Sequence, residues 1–536
     1  MDQSLVFILK NFKFFFRLFY KEFIQFRIYP AIILAGITGL IAQYYSFTNQ
    51  LQFAYGDSYR RLDISRKIYD SLSPGILQQI GTVWLPIPTI INIPFVYIDY
   101  LWHSGVGAAL INFFFFVFNA AIIFKLLKNL TDDPFVTWFG FLLFAFNPNI
   151  LYFQSTGMSE NLFIFFITCS VYLMVRWQRS GDAEYLVFAG ILASLAAGTR
   201  YEGWFFSFFA VIILIAHCFI FRKKYLINLF AFSIFTGAIV FSWFLFNYLY
   251  YGDILSFQRG QFSSELIAKD IEKTGGLFAK NNLNASISTT FESIALNSTY
   301  FISYLSLIGL FCYFTLKNIK KNSLFVFLLL STIPLTIFSL YKGQIFIILP
   351  GSPVYGYLNS RYGLYLLPAV CIFASFFILY VSNIFKLNRS LKSIFIIIIF
   401  SFYLYDNYYG FPMNSPGYYE AYSLKYAEQR YIRLADYMDK NYKGGKVLIA
   451  NNEINLMPNA RIDMTDRYYV FDPEGFRDTL WNNYKEIEWI LFMDESKIKY
   501  TTGGSVKDIP PQLADKYKFL YYDQGIMVYR STEFKN

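Results

Sequence analysis

Eleven apolar runs, near residues 29–46, 105–124, 134–151, 160–175, 185–199, 203–221, 225–249, 296–316, 323–345, 362–385 and 393–409, follow one another along this chain of 536 residues. A segment that crosses the hydrocarbon of a bilayer needs about 20 mostly apolar residues in a helix, which alone satisfies its own backbone polar groups there. Such a succession leaves little choice of fold: a polytopic all-α membrane domain with about eleven transmembrane helices. Only 15% of the residues are Asp, Glu, Lys or Arg, against 56% hydrophobic and 22% aromatic, whereas a soluble domain usually carries about 25% charge.

The charge is unevenly spread. Residues 1–410 hold 29 basic and 18 acidic side chains, and residues 411–536 hold 17 and 18. Two domains are therefore expected: a membrane domain over 1–410 and a small soluble α/β domain over 411–536. The basic excess belongs to the membrane part, so nucleic acid is excluded as a partner. In the tail, 423–442 has the apolar spacing of one amphipathic helix. KVLIANN, EIEWILFMD and FLYYDQGIMVYR are expected strands, with PPQLADKY a short helix before the last. No phosphate loop or nucleophile motif occurs in the tail, which suits acceptor docking, gating or a structural cap.

Lys and Arg in short loops set the orientation. Lys10, Lys13, Arg17, Lys21 and Arg27 precede the first run, and alternate connections carry Lys125 and Lys128; Arg176 and Arg179; Arg222, Lys223 and Lys224; Lys317, Lys320 and Lys321; Lys386, Arg389 and Lys392. With eleven spans these all fall on one side. The N-terminus is then cytoplasmic and the tail lies opposite, periplasmic if the membrane is a bacterial inner membrane. Residues 5–24 suit a helix on the cytoplasmic surface, and no signal-peptide cleavage site is expected after them. The stretch 84–102 holds Pro86, Pro88 and Pro94, which repeatedly remove helix donors; an interfacial or re-entrant segment is expected there. Cys169, Cys218, Cys312 and Cys371 all lie in apolar runs and read as small buried hydrophobes. His103 and His217 are too few for a metal or triad site, and His217 reads as a packed core histidine.

The outer side then collects polar residues against the usual bias: Arg60, Arg61, Arg66, Lys67, Arg200 and Arg361, with Asp57, Glu160 and Glu202 at helix borders. Ionisable groups at such depths face a cavity or one another. Carboxylates suit acid–base work, and guanidiniums suit a phosphate. Each has a plainer reading too: a turn for Asp57, a helix N-terminus for Glu160, a simple ion pair with Arg200 for Glu202, and an interfacial anchor for Arg361. The sequons at Asn284 and Asn297 also fall on this side.

Gly56-Asp57-Ser58-Tyr59 in a long first loop, Asn147-Pro148 through Ser159-Glu160-Asn161-Leu162-Phe163, Gly198-Thr199-Arg200-Tyr201-Glu202-Gly203, and Arg361-Tyr362 with Pro368 follow in order on one side. This arrangement resembles the integral-membrane glycosyltransferases of the GT-C fold, in particular the protein O-mannosyltransferase and aminoarabinose-transferase type, over roughly residues 25–385. The resemblance implies a polyprenyl-phosphate-linked sugar as donor and Asp57 as catalytic base. It implies Arg361 and, less strongly, Arg200 at the lipid phosphate, and Glu160 as a second acidic residue near the acceptor. Arg60 and Arg61 are further phosphate candidates, and Tyr59, Glu202 and Tyr362 candidates to line the cavity. Ser58 follows Asp57, so the acidic pair sometimes found in that loop is absent. The lack of a W-W-D-Y-G signature and of a D-x-D or E-x-E pair argues against an oligosaccharyltransferase.

The chemistry suits these residues. A sugar on a lipid phosphate already has a good leaving group, so no cofactor is needed. A divalent cation is not required, although Asp57 and Glu160 could share one if the fold joins them. A carboxylate must reach the acceptor hydroxyl, and fixed positive charge must meet the departing phosphate. The expected function is transfer of the sugar to an acceptor hydroxyl on a protein, lipid or glycan at the non-cytoplasmic face, with inversion. The alternatives are a polytopic transporter or lipid flippase, disfavoured because few charges lie mid-membrane, or a lipid-linked glycan polymerase or ligase.

Overall fold

The computed structural model describes residues 28–534 except 82, 222–225, 261–262, 264–267, 269–270, 274, 316–322, 355, 451–453, 455, 471 and 495–505. The surface helix expected over 5–24 and the basic loops at 222–225 and 316–322 lie outside the described residues. Helix dominates, and each expected apolar run forms helix. Among the described residues eight helices are long and apolar enough to cross a membrane, and nine if the bent pair Leu283–Ser298 and Tyr300–Thr315 is one span, with 110° between its halves. Two other expected spans are shorter helices, Pro134–Ala145 and Ala183–Ala197. The chain is an integral membrane protein with two compact units. The described residues of the first come from 28–50, 83–88 and 109–420, and those of the second from 51–81, 89–108 and 421–534.

In the first unit, Glu160–Ser180 is the most enclosed of the long helices. Small residues let backbones approach, as is usual where lipid offers no hydrophobic drive for association. A Cβ on Gly309 would lie 1.8 Å from the carbonyl oxygen of Phe373, so the helices Tyr300–Thr315 and Leu367–Ile384 pack backbone to backbone there. His217 is buried between Trp177 and Phe325, with ring centroids 5.4 and 5.5 Å away. All four cysteines are buried and none is in a disulfide.

In the second unit, β1 (Lys446–Ala450), β2 (Arg467–Val470), β3 (Ile487–Met493), β4 (Tyr517–Asp523) and β5 (Ile526–Ser531) form one sheet in the order β2-β1-β3-β5-β4. β2, β1 and β3 run parallel, and β5 is antiparallel to both β3 and β4. Every residue of β3 is buried. Its Trp489, Leu491 and Met493 join a core with Leu434 and Met438, while Ile490 and Phe492 pack with Phe476 and Leu480 on the other face.

Three expectations for the tail change. The single helix 423–442 is two, Pro416–Ala427 and Gln429–Asn441, parted at Glu428. FLYYDQGIMVYR is a hairpin rather than one strand, turning at Gln524 and Gly525, both with positive φ. β2 and the helix Pro473–Asn483 were not expected. The tail also does not make its unit alone, because the first loop supplies the helix Gly56–Lys67 and Trp102 to its core. The stretch 84–102 holds two short helices, Pro86–Val96 of 11 residues with Pro94 inside it, and Asp99–Ser104 of 6; neither is of spanning length.

Candidate active site

The first unit gathers Glu160, Arg200, Glu202, Arg361 and Tyr362. Two glycines shape the turn that carries Arg200. A Cβ on Gly198 would come within 2.4 Å of Ile239 Cδ1, and one on Gly203 within 2.4 Å of the Ala196 carbonyl group. Larger residues would push apart the helices that Arg200 joins. Tyr201 donates its hydroxyl to the Val83 carbonyl at 2.8 Å, fixing the turn from outside.

Arg200 donates Nε and Nη2 to the two oxygens of Glu202, each at 3.2 Å. Its Nη1 donates to Glu160 Oε1 at 3.2 Å and to Ser159 Oγ at 3.3 Å. Arg361 Nε lies 3.2 Å from the same Glu160 oxygen. Glu160 is fully buried, and its Oε2 has no hydrogen-bond partner among the described residues. Tyr365 and Tyr362 stand under the Arg200 guanidinium, with centroids 4.9 and 5.6 Å from Cζ. Burial opposes the charge of Arg200, but the carboxylates of Glu202 and Glu160 outweigh it and hold its pKa well above the usual arginine value. Two cations and two anions thus meet where little side-chain surface is exposed, and fixed charges act more strongly there than in water.

Arg361 sits on a tight 3-10 turn, Ser360–Leu366, entered through Asn359 at φ 60°. Glu420 caps that turn: its carboxylate accepts from the backbone N–H of Asn359 and Ser360 at 2.8 and 3.3 Å and from Ser360 Oγ at 3.0 Å. Asn297 donates to the Ser360 carbonyl at 2.7 Å, and the Asn297 carbonyl accepts from Asn147 at 2.7 Å and Asn149 at 3.2 Å. A Cβ on Gly363 would lie 2.2 Å from the Ser293 carbonyl oxygen, so the turn rests on the helix Leu283–Ser298. Sequence reasoning found Asn147-Pro148 as a motif but missed what it holds, and missed Glu420. Amides and a carboxylate among aromatic residues were the available signal. Asn297, noted as a sequon, is 1% exposed and used by this network, so it is no acceptor for a surface glycan; Asn284 is exposed.

The other expected residues belong to the second unit, on the helix Gly56–Lys67. Asp57 is half-buried in its first turn, where the helix dipole favours an anion. Arg60 is exposed and Arg61 buried. Tyr59 is 3% exposed and packs edge-on against Phe53 in the core with Tyr431 and Leu434; burial raises its pKa far above the usual phenol value.

Farther along this helix the basic residues are already engaged. Arg66 Nε meets Asp70 at 2.8 Å, Nη1 meets Asp99 at 2.7 Å, and Nη2 lies 3.8 Å from Asp463. Burial raises the Asp70 carboxyl, but the Arg66 contact and the backbone N–H groups of Thr465 and Met464 outweigh it and hold the pKa below the usual value. Asp63 accepts from Trp102 Nε1 at 3.0 Å and lies 3.7 Å from Arg467, whose own guanidinium is wholly buried and donates to the Ile462 and Leu456 carbonyls. Burial pushes the Asp63 carboxyl up despite that arginine.

The fold places this chain among known proteins. ArnT from Cupriavidus metallidurans bound to undecaprenyl phosphate has a similar fold, with a TM-score of 0.57 and 9% identity over 93% of this chain and 97% of that one. The chain has a GT-C-like fold. Apo ArnT from the same organism gives 0.49 at 11% identity over 88% and 92% of the two chains. The archaeal oligosaccharyltransferase AglB from Archaeoglobus fulgidus, in complex with an inhibitory peptide and a dolichol-phosphate, gives 0.46 at 12% over 96% and 75%. Residues 66–257 match the family model for dolichyl-phosphate-mannose-protein mannosyltransferase. That stretch holds Glu160, Arg200 and Glu202 and leaves out Asp57 and Arg361. No curated protein sequence matches. The expected resemblance thus stands at the level of fold and of this family match.

Proposed function

We propose that this GT-C-like protein is a glycosyltransferase that moves a sugar from a polyprenyl-phosphate donor to an acceptor hydroxyl on the non-cytoplasmic face of the membrane. The observation that carries the reading is the pair of partly buried guanidiniums on one oxygen of the buried Glu160. A departing lipid phosphate needs fixed positive charge where its own charge grows. Arg200 is fully engaged by Glu202, Glu160 and Ser159, so it supports the field rather than moving. Arg361, on its capped turn, is the phosphate ligand. Glu160, expected beside Asp57 as a catalytic residue, holds both arginines at the bottom of the site, and Tyr362 lines it.

Asp57 is the general base. Its carboxylate takes the proton of the acceptor hydroxyl as that oxygen attacks the sugar carbon, and the C–O bond to the lipid phosphate breaks with its electron pair leaving on phosphate. Attack opposite the leaving group inverts the carbon. The setting is a bacterial inner membrane, N-terminus inside and the sheet-bearing unit in the periplasm.

The test is release of polyprenyl phosphate from radiolabelled polyprenyl-phosphate sugars by the full chain in nanodiscs. Release that needs an added acceptor and falls in Arg361→Ala supports the reading. Polyprenyl phosphate bound equally by wild type and Arg361→Ala, with no release from any donor, would sink it.

A further inference from the structure

The second unit has an open pocket of about 390 Å³ lined by Tyr100, His103, Ser104, Asp436, Asp439, Asn459 and Arg461. Three elements build it: the helix Asp99–Ser104, the helix Gln429–Asn441, which presents Asp436 and Asp439 one turn apart, and the turn Pro458–Ala460 with Arg461 after it. Arg461 sits at φ 54°, in the left-handed region that side chains rarely adopt. Its Nε lies 3.2 Å from Asp439 Oδ1.

The hydrogen-bonding character of this wall is one-sided. His103 Nδ1 lies 2.7 Å from the Pro458 carbonyl oxygen. A carbonyl only accepts, so Nδ1 carries the proton and Nε2 is left as an acceptor. Burial lowers the His103 pKa, which keeps the ring neutral. Asn459 Oδ1 is buried without a hydrogen-bond partner among the described residues. The carboxylates of Asp436 and Asp439 add acceptors. Among the described residues no three His, Cys, Asp or Glu side chains are grouped closely enough to hold a metal ion. The acceptors are spread over the wall instead, beside the exposed ring of Tyr100.

Dispersed acceptors, one arginine fork and an aromatic face suit a ligand with many hydroxyl donors on a compact apolar ring. We propose that this pocket binds a saccharide unit of a glycan. Sugar hydroxyls donate to Asp436, Asn459 and His103, Arg461 donates to a ring or hydroxyl oxygen, and Tyr100 covers an apolar sugar face. The proposal rests on this unit alone and does not depend on the reading of the membrane cluster.

The experiment applies the full chain in nanodiscs to an array of neutral mono- to tetrasaccharides, with spermidine as a polyamine control. Wild type is compared with Asp436→Asn, at an exposed position, and Asn459→Ala, at a half-buried position outside the apolar core. The expected result is saturable saccharide binding, weakened about tenfold by either substitution, the usual effect of losing one strong hydrogen bond. Saccharide binding that neither variant alters would place the ligand elsewhere and overturn the proposal. So would no binding to any saccharide, and spermidine binding lost in Asp436→Asn would reassign the pocket to a cationic ligand.

Discussion

Asn297 donates its side-chain amide to the carbonyl of Ser360 at 2.7 Å, inside a wholly buried network. One hydrogen bond thereby ties the bent helix pair to the turn bearing Arg361. Loss of the donor strands a buried carbonyl, which costs about 1–3 kcal/mol. Asn297→Ala is expected to lower the melting temperature modestly and weaken polyprenyl-phosphate binding about tenfold. Unchanged lipid affinity in a folded variant would show that the amide does not hold the turn.

Asp57→Asn keeps the shape of the side chain but removes its basicity. Turnover is expected to fall by roughly two to four orders of magnitude, the usual contribution of a general base, with donor affinity nearly unchanged. Single-turnover kinetics with pre-bound donor separates these effects. Near-normal chemistry would remove Asp57 from the mechanism.

Glu160→Gln leaves Arg200 and Arg361 buried beside a neutral amide. Breaking a buried ion pair from one side costs about 3–5 kcal/mol, so a large drop in thermal stability is expected. Arg361→Ala should instead act on ligand binding, losing about 1.5–3 kcal/mol of lipid-phosphate affinity. Titrations with polyprenyl phosphate and melting curves on both variants check the split. Equal effects of the two on both readouts would refute the separate roles.

Acid should loosen the sheet-bearing unit in two stages. The folded His103 pKa is lowered from 6.5, so the unfolded chain takes up a proton first. That contribution to stability is whole above about pH 6.5 and is lost as pH falls toward the folded pKa. Asp70 is likewise lowered from 3.8, and its contribution disappears at still lower pH. Asp63 and Asp463, both raised from 3.8 chiefly by burial, have the opposite sign and act above the Asp70 window, their cost being relieved as pH falls from the folded pKa toward 3.8. Denaturant titrations between about pH 7.5 and about pH 5, which bracket the ordinary histidine pKa of about 6.5, should show the first loss. His103→Asn, which keeps a donor for the Pro458 carbonyl, should flatten it.

Much of this fold was legible because apolar runs and bilayer thickness act locally along the chain. The run at 160–175 is the helix Glu160–Ser180, and Gly198 to Gly203 does mark a tight helix boundary. Pairings across the chain were not legible. Nothing in the spelling of 51–81 says that Asp63 will face Arg467 or that Asp70 will cap the backbone at Thr465. The first-loop basic cluster looked available for an anion, yet Arg66 meets Asp70 one turn on and Asp99 and Asp463 from distant positions. Glu420 was invisible for the same reason, since its partners lie about sixty residues upstream.

The buried guanidinium of Arg467 beside Asp63 carries a consequence for biosynthesis. The helix Gly56–Lys67 leaves the ribosome well before the sheet that completes its core, which follows all of residues 109–420. Until then Arg66 and Asp63 lack the tail's residues around them and Tyr59 has only part of its apolar surroundings. The unit therefore closes only after the sheet strands have been made, and a chain stopped before Arg467 would leave the apolar face of the helix Gly56–Lys67 without its partners.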